Sequence, residues 1–172
     1  MRYVDPDGKE VVVGISTSDT LFGTIFGEHA FIMYTNPDNP TENIMLDASG
    51  QFGGGRACDI VESSQIEISV NSYLNYFDTD ETLTVFELKL GFSSEEKIKE
   101  LIENTFGRSS FQCAVRASSL LKDSKLFGEN IKKRFTPRGL YNDLMKFAQK
   151  NPSIVTMKEY DFITKEEITD EK

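Results

Sequence analysis

The chain has 172 residues, of which 38% are hydrophobic, including 13 Phe and 6 Tyr. This length and apolar content fit one globular domain with its own core and exclude an intrinsically disordered chain. The net charge of −9 argues against a nucleic-acid partner, because binding to phosphates depends largely on Lys and Arg. A single histidine and two cysteines provide neither a disulfide framework nor a zinc site, so we predict no metal. No apolar run is long enough for a transmembrane segment.

The N-terminal segment contains the turn sequence Asp5-Pro6-Asp7-Gly8 and lacks the apolar stretch of a secretory signal peptide. Residues Tyr3 to Lys9 resemble the end of the core of Rhs and YD-repeat proteins, where a DPxG element precedes a variable toxin domain. The resemblance implies that residues 1–12 are a remnant of that core within a longer natural protein. The alternative is an ordinary Pro-Asp-Gly turn.

The first half of the chain is predicted to form strands. Glu10 to Ile15 is a short β-branched run, and two further apolar runs flank the turn sequence Asn36–Pro40, which predicts a hairpin of Ala30–Tyr34 and Asn43–Asp47. Residues 50–55 form a glycine-rich loop without the Lys of a phosphate-binding loop. Alternating or apolar patterns predict more strands at Gln65–Val70, Leu83–Leu90 and Ile154–Met157.

The second half is predicted to be helical. One helix begins at Ser93 or Ser94 and ends at Gly107, and a second runs from about Ser110 to Lys122. A third begins at Thr136-Pro137, a cap followed by proline at the first helical position. Residues 164–172 form a charged tail with little to bury.

His29, the only histidine, lies at the open end of the predicted hairpin. Symmetrical folding about Asp38 pairs residues whose numbers sum to 76, which places His29 opposite Asp47. Facing side chains of antiparallel strands are close enough for a carboxylate to orient an imidazole. A register shifted by two residues would place Ser49 or Met45 opposite His29 instead. The alternative role for His29 is that of a surface residue at a strand end.

Cys113 lies in the first turn of the second predicted helix, where free N–H groups and the helix dipole stabilise a thiolate. The backbone N–H of Cys113 is a candidate donor to a reaction oxyanion. The alternative is a small buried thiol in the core. Cys58 has no helix start behind it, and the adjacent Asp59 opposes thiolate formation, so we predict a structural role for Cys58.

The order of these elements resembles the circularly permuted branch of the papain-like superfamily, which includes NlpC-like and lecithin:retinol-acyltransferase-like proteins. In that branch the catalytic histidine precedes the cysteine. The resemblance covers roughly residues 13–150 and is carried by short stretches: Gly27-Glu28-His29-Ala30-Phe31-Ile32, Leu83 to Leu88, Ser94 to Gly107, Phe111-Gln112-Cys113-Ala114 and Thr136 to Leu140. Gln112 departs from the family pattern, which often has Asn before the cysteine.

The resemblance implies an α+β domain over residues 13–163, with a small antiparallel sheet packed against the helix that bears the cysteine. It implies a cysteine hydrolase with Cys113 as nucleophile, His29 as base and Asp47 as the orienting group, without a metal or organic cofactor. For a toxin of this kind it implies cleavage of amide bonds in peptidoglycan stem peptides, in the periplasm of a target cell, by a monomer with a cognate immunity protein.

Three other functions stay open at this point. The first is a lipid-ester acyltransferase or phospholipase that uses the same Cys113 and His29. Leu21-Phe22 and Ile25-Phe26 would supply the apolar rim that such an enzyme needs. A deamidase or protease acting on a host protein has the same chemistry. A non-enzymatic binding module, with a buried cysteine and a surface histidine, is the third.

Overall fold

The described part of the chain forms an α+β domain in which four α-helices accompany a six-stranded antiparallel sheet. The computed structural model describes residues 9–20, 25, 27–48, 50–54, 59–105 and 112–169. The strands are β1 (Glu10–Thr17), β2 (His29–Thr35), β3 (Ile44–Leu46), β4 (Ile60–Glu62), β5 (Thr82–Leu88) and β6 (Val155–Asp161). The helices are α1 (Val70–Tyr76), α2 (Phe92–Glu103), α3 (Cys113–Asp123) and α4 (Pro137–Lys150). The predicted class, α+β with an antiparallel sheet, is confirmed.

The sheet has the strand order β4-β3-β2-β1-β5-β6, so β1 and β2 lie in its middle. The predicted hairpin is present, because β2 and β3 pair antiparallel around the turn that begins at Asn36. The side-chain oxygen of Asn36 accepts hydrogen bonds from the backbone N–H groups of Asp38 and Asn39, which fixes the turn. This local side-chain bonding explains why the sequence signal for the hairpin was strong.

Each face of the sheet is covered by its own hydrophobic core. On one face, β-strand side chains pack with the apolar sides of α2, α3 and α4, which are Ile98, Ile102, Ala117, Leu121, Leu140 and Leu144. On the other face, Phe31, Met33 and Val85 pack with Tyr73 of α1, with Phe52 and with Phe162. Alternation along β2 therefore directs even-numbered residues toward α3 and odd-numbered residues toward α1.

One predicted element is wrong, one strand was not predicted, and one helix begins earlier than expected. Residues 65–69 are not a strand, because Ser69 accepts a hydrogen bond from the backbone N–H of Ser72 and so caps α1. The short strand β4, Ile60–Glu62, was not predicted. The helix expected to begin at Ser93 or Ser94 instead begins at Phe92 after Gly91, where the Glu95 carboxylate accepts the N–H groups of Leu90 and Gly91.

The other helix and strand predictions hold with shifted ends. Thr136 caps α4 through a hydrogen bond from the N–H of Gly139, and Pro137 is the first residue of that helix. The boundary drawn after residue 12 falls inside β1, which begins at Glu10. The charged tail is attached to the domain, because the Lys165 ammonium donates to the carbonyls of Leu74 and Phe77. The helix expected to end at Gly107 ends at Glu103, and the helix expected to begin near Ser110 begins at Cys113. The Rhs-like segment apart from Lys9 and most of residues 21–26 lie outside the described residues.

Candidate active site

The first residue of β2 brings the only histidine of the chain to one end of the sheet. The His29 side chain is 18% exposed, so it is largely shielded and still reachable from solvent. Its Nε2 atom lies 2.5 Å from Oδ1 of Asp47, so the ring donates a hydrogen bond to the carboxylate. Since Nε2 is engaged by Asp47, Nδ1 is the nitrogen that remains available to other groups.

Asp47 directly follows β3 and is completely buried. Besides the His29 ring, its carboxylate accepts the backbone N–H of Phe52 through Oδ2 at 3.2 Å. The backbone carbonyl of Asp47 accepts the N–H of Gly50 at 3.0 Å. A Cβ atom on Gly50 would lie only 2.0 Å from Oδ1, so the loop after β3 wraps closely around the carboxylate. This packing, together with the hydrogen bond from the N–H of Asp47 to the carbonyl of Asp59 just before β4, fixes the position of Asp47.

The predicted pairing of His29 with Asp47 across the hairpin is wrong as a register, although the two side chains meet. Ile32 pairs with Leu46 and Met33 with Met45, a register two residues away from the predicted one. Strand pairing ends at Leu46, and Asp47 reaches His29 diagonally from the first position beyond β3. His29 and Asp47 both have odd numbers, so their side chains lie on the same face of the sheet. A shift of the register by two residues keeps them on that face, which is why the two side chains still meet.

Cys113 is the first residue of α3, as the sequence predicted to within the first turn. The cysteine is half-buried and forms no disulfide. The His29 side chain and the backbone N–H groups of Ala30 and Ala114 lie close enough to its sulfur to lower the pKa of the thiol. The helix therefore begins against the start of β2, where the thiol, the imidazole and the Asp47 carboxylate follow one another in a line of contacts.

The electrostatics of this line favour the charged forms of both central groups. Burial raises the pKa of the Cys113 thiol, but the hydrogen bond and charge of His29, with the N–H groups of Ala30 and Ala114, lower it below its usual value. Burial lowers the pKa of His29, but the hydrogen bonds and charges of Asp47 and Cys113 outweigh it and raise that pKa from 6.5 to about 10. At neutral pH the arrangement therefore favours a thiolate beside an imidazolium.

A cleft of about 290 Å³ adjoins His29 on the face that carries α1. Ser16 lies directly across from His29 on β1 and lines the cleft. The carboxylates of Glu28 and Glu81 and the rings of Tyr73, Phe77 and Phe162 also line it. The cleft thus combines negative charge with aromatic walls at the edge of the His29 ring.

No family model, curated protein or solved structure matches this chain.

The other sequence predictions concern Cys58, a metal site and a membrane-spanning segment. Cys58 lies outside the described residues. Within the described part of the chain, no three His, Cys, Asp or Glu side chains come close enough together to hold a metal ion. No helix in that part is both long and apolar enough to cross a membrane.

Sequence reasoning missed the groups that shape the site from the backbone. Ala30 donates its N–H to the sulfur, and Gly50 leaves room for the carboxylate, but neither role depends on a side chain that a motif would reveal. Ser16 had one available signal. It is a polar residue at the end of the apolar run of β1, at a position where alternation would favour another buried apolar residue.

Proposed function

We propose that the protein is a cysteine hydrolase in which Cys113 is the nucleophile, His29 the acid and base, and Asp47 the group that orients His29. The observation that carries this proposal is the line of contacts from the Cys113 thiol through the His29 ring to the buried Asp47 carboxylate. The same order of roles, nucleophile, base and orienting group, defines catalytic triads. The permuted papain-like fold is part of the same proposal.

The proposed reaction begins with attack of the Cys113 thiolate on the carbonyl carbon of an amide. As the C–N bond of the tetrahedral intermediate breaks, the imidazolium of His29 gives its Nδ1 proton to the departing amine. The neutral ring then takes a proton from water, and the resulting hydroxide attacks the thioester and releases the carboxylic acid and the thiolate. The Asp47 carboxylate holds the Nε2 proton of His29 throughout, which fixes the ring and stabilises its charged form.

The oxyanion of the intermediate has a donor at the start of α3. The first helical hydrogen bond of this segment joins the N–H of Arg116 to the carbonyl of Gln112. The N–H of Cys113 precedes that bond, so the helix does not use it, and we assign it to the oxyanion. The positive end of the helix dipole acts in the same direction.

We propose amide bonds of peptidoglycan stem peptides as the substrate, with the periplasm of a target cell as the place of action. This choice rests on the resemblance of residues 13–150 to the permuted papain-like branch and on the Rhs-like start of the chain. Lipid esters are the second candidate. Ile25 is 52% exposed, in the segment expected to form an apolar rim, and this observation alone favours lipid esters.

The experiment that tests the function compares wild type with Cys113→Ser on purified peptidoglycan and on phospholipid vesicles. We expect new amino groups and shortened stem peptides from peptidoglycan, detected by labelling and mass spectrometry, and no product from Cys113→Ser. Release of fatty acid from the vesicles, without cleavage of peptidoglycan, would replace the amide substrate with an ester. Equal activity of wild type and Cys113→Ser would overturn the cysteine mechanism itself.

A second experiment tests the place of action. Wild type is expressed in bacteria either in the cytoplasm or with a periplasmic export signal, and growth is followed in each case. We expect lysis only after export to the periplasm. Arrest of growth from the cytoplasm with an intact wall would contradict peptidoglycan as the target.

A further inference from the structure

The cleft beside His29 carries two carboxylates, and among the described residues no Lys or Arg side chain bonds to either of them. Glu28 is exposed, and one of its oxygens, Oε1, contacts the hydroxyls of Ser18 and Thr20. Glu81 is half-exposed, and its side chain has no hydrogen bond or ion pair among the described residues. Of the residues that the structure describes, no Lys or Arg lines the cleft. Its charge therefore favours a ligand that brings a positive charge.

Ser16 supplies an independent indication that the floor of the cleft binds a polar group. Ser16 is only 2% exposed, and within the described chain its hydroxyl has no hydrogen-bond partner. Because the Ser16 hydroxyl opens onto the cleft, it is available to donate to or accept from a polar group of a ligand. Ser16 faces His29 across the β1–β2 pair, so a ligand that reaches Ser16 also passes the His29 ring.

The walls of the cleft are aromatic. The ring centroids of Tyr73 and Phe77 are 4.9 Å apart, and that of Phe162 lies 6.1 Å from Tyr73 and 6.4 Å from Phe77. Aromatic faces accept both methylene groups and a nearby cation. The Lys165 ammonium lies 5.9 Å from the centroid of Phe162 and donates to the carbonyls of Leu74 and Phe77, so one aromatic wall already has a cation beside it, but Lys165 does not line the cleft itself.

We propose that this cleft is a subsite for a primary ammonium group on an alkyl stem, as in a lysine-like side chain close to the scissile bond. The stem lies against Tyr73, Phe77 and Phe162, and the ammonium donates to the carboxylates of Glu28 and Glu81 and to the hydroxyl of Ser16. This inference rests on the proposed function, because His29 links the cleft to the Cys113 thiol. It narrows the substrate to cationic acyl donors and disfavours anionic lipid headgroups.

The kinetic test uses matched peptide amides that differ at one residue, lysine, norleucine or glutamate, next to the scissile bond. We expect wild type to cleave the lysine peptide with a kcat/KM about 10-fold above that of the norleucine peptide, with the glutamate peptide lowest. The ratio of lysine to norleucine should fall to within about 2-fold of unity in Glu28→Gln/Glu81→Gln and at high salt. Glu129→Gln, an exposed charge that does not line the cleft, should keep the wild-type ratio. Equal cleavage of the three peptides by wild type would overturn the subsite and leave the hydrolase intact.

A binding test separates this inference from the proposed function. Cys113→Ser is titrated with Nα-acetyl-lysine methylamide and with the norleucine analogue, and backbone NMR shifts are followed at Ser16, His29 and Glu81. We expect the lysine probe to bind about 10-fold more tightly and to perturb these residues, with the preference lost in Glu28→Gln/Glu81→Gln and reduced in Ser16→Ala. This result supports the subsite even if no amide is ever cleaved. Equal binding of the two probes, or shifts confined to other regions, would overturn it.

Discussion

His29 and Asp47 are joined by a hydrogen bond of 2.5 Å, although the pairing of their strands does not set them opposite each other. The bond depends on the loop that begins at Asp47 and turns back through Gly50 to Phe52. The orientation of the imidazole is therefore a property of this loop more than of the hairpin. Substitutions in the loop should affect activity without disturbing the sheet.

Asp47→Asn should lower activity, but by less than the loss of Cys113. Asp47 accepts hydrogen bonds from both His29 and the N–H of Phe52, whereas an asparagine has one acceptor oxygen and so keeps only one of them. The lost negative charge also lowers the pKa of His29 from its value of about 10. Activity that needs the imidazolium should thus decline at a lower pH in Asp47→Asn than in wild type.

The measurement for that variant is a pH profile of kcat/KM. Asp123→Asn, an exposed carboxylate at the end of α3, serves as the control and should leave the alkaline limb in place. An unchanged profile in Asp47→Asn would remove Asp47 from the mechanism.

Gly50→Ala should damage the site while leaving the domain folded. The added Cβ would meet Oδ1 of Asp47 at 2.0 Å, so either the carboxylate or the loop must move. We expect a cost of about 1–3 kcal/mol in the free energy of unfolding and a clear fall in kcat. Gly128→Ala is the matched control, because its Cβ meets nothing within 4 Å although its φ of +54° makes the change mildly strained. Equal losses of activity in Gly50→Ala and Gly128→Ala would contradict a specific role of Gly50 in placing the Asp47 carboxylate.

His29→Ala should lower turnover by about 10²–10⁴-fold, the usual contribution of a general acid and base. The residual activity should depend on pH through a thiol of higher pKa, because the hydrogen bond and charge that favour the Cys113 thiolate are gone. Circular dichroism checks that the fold persists. Turnover equal to that of wild type would exclude the imidazole from the chemistry.

Much of the fold followed from local signals in the sequence. The Asn36 turn and the Thr136 cap are side-chain hydrogen bonds within a few residues, and both were predicted. The β2–β3 register and the strand β4 depend on long-range packing, so the sequence did not determine them. The Ser69 cap was a local signal, but the alternation of residues 65–70 concealed it.

The candidate site could also be predicted only in part from the sequence. Cys113 and His29 were found from a helix start and from the uniqueness of the histidine. Ala30 contributes a backbone N–H, and Gly50 contributes the space left by its missing side chain. Neither contribution can be predicted from a residue type in the sequence. Asp47 was found through a register that is wrong, because a shift of two residues preserves the face of a strand.

We propose that the chain is a toxin domain with a cognate immunity protein, and the binding of that partner should depend on charge. The chain carries a net charge of −9, so a basic contact surface on the partner would speed association at low salt. Co-expression of the neighbouring open reading frame with the active domain should restore growth, and the association rate should fall as salt is raised. If no nearby frame restores growth or binds the domain, the toxin assignment fails and the hydrolase assignment stands on its own residues.

The reactivity of Cys113 as a function of pH tests the central proposal most directly. The domain with Cys58→Ser is treated with iodoacetamide from pH 4 to pH 10, and modification is assigned by mass spectrometry, with and without His29→Ala. We predict rapid alkylation of Cys113 at neutral pH, with a midpoint well below the ordinary thiol pKa of about 8.5, and a shift toward that value in His29→Ala. A Cys113 that resists alkylation below pH 8, or a midpoint that His29→Ala does not move, would contradict it.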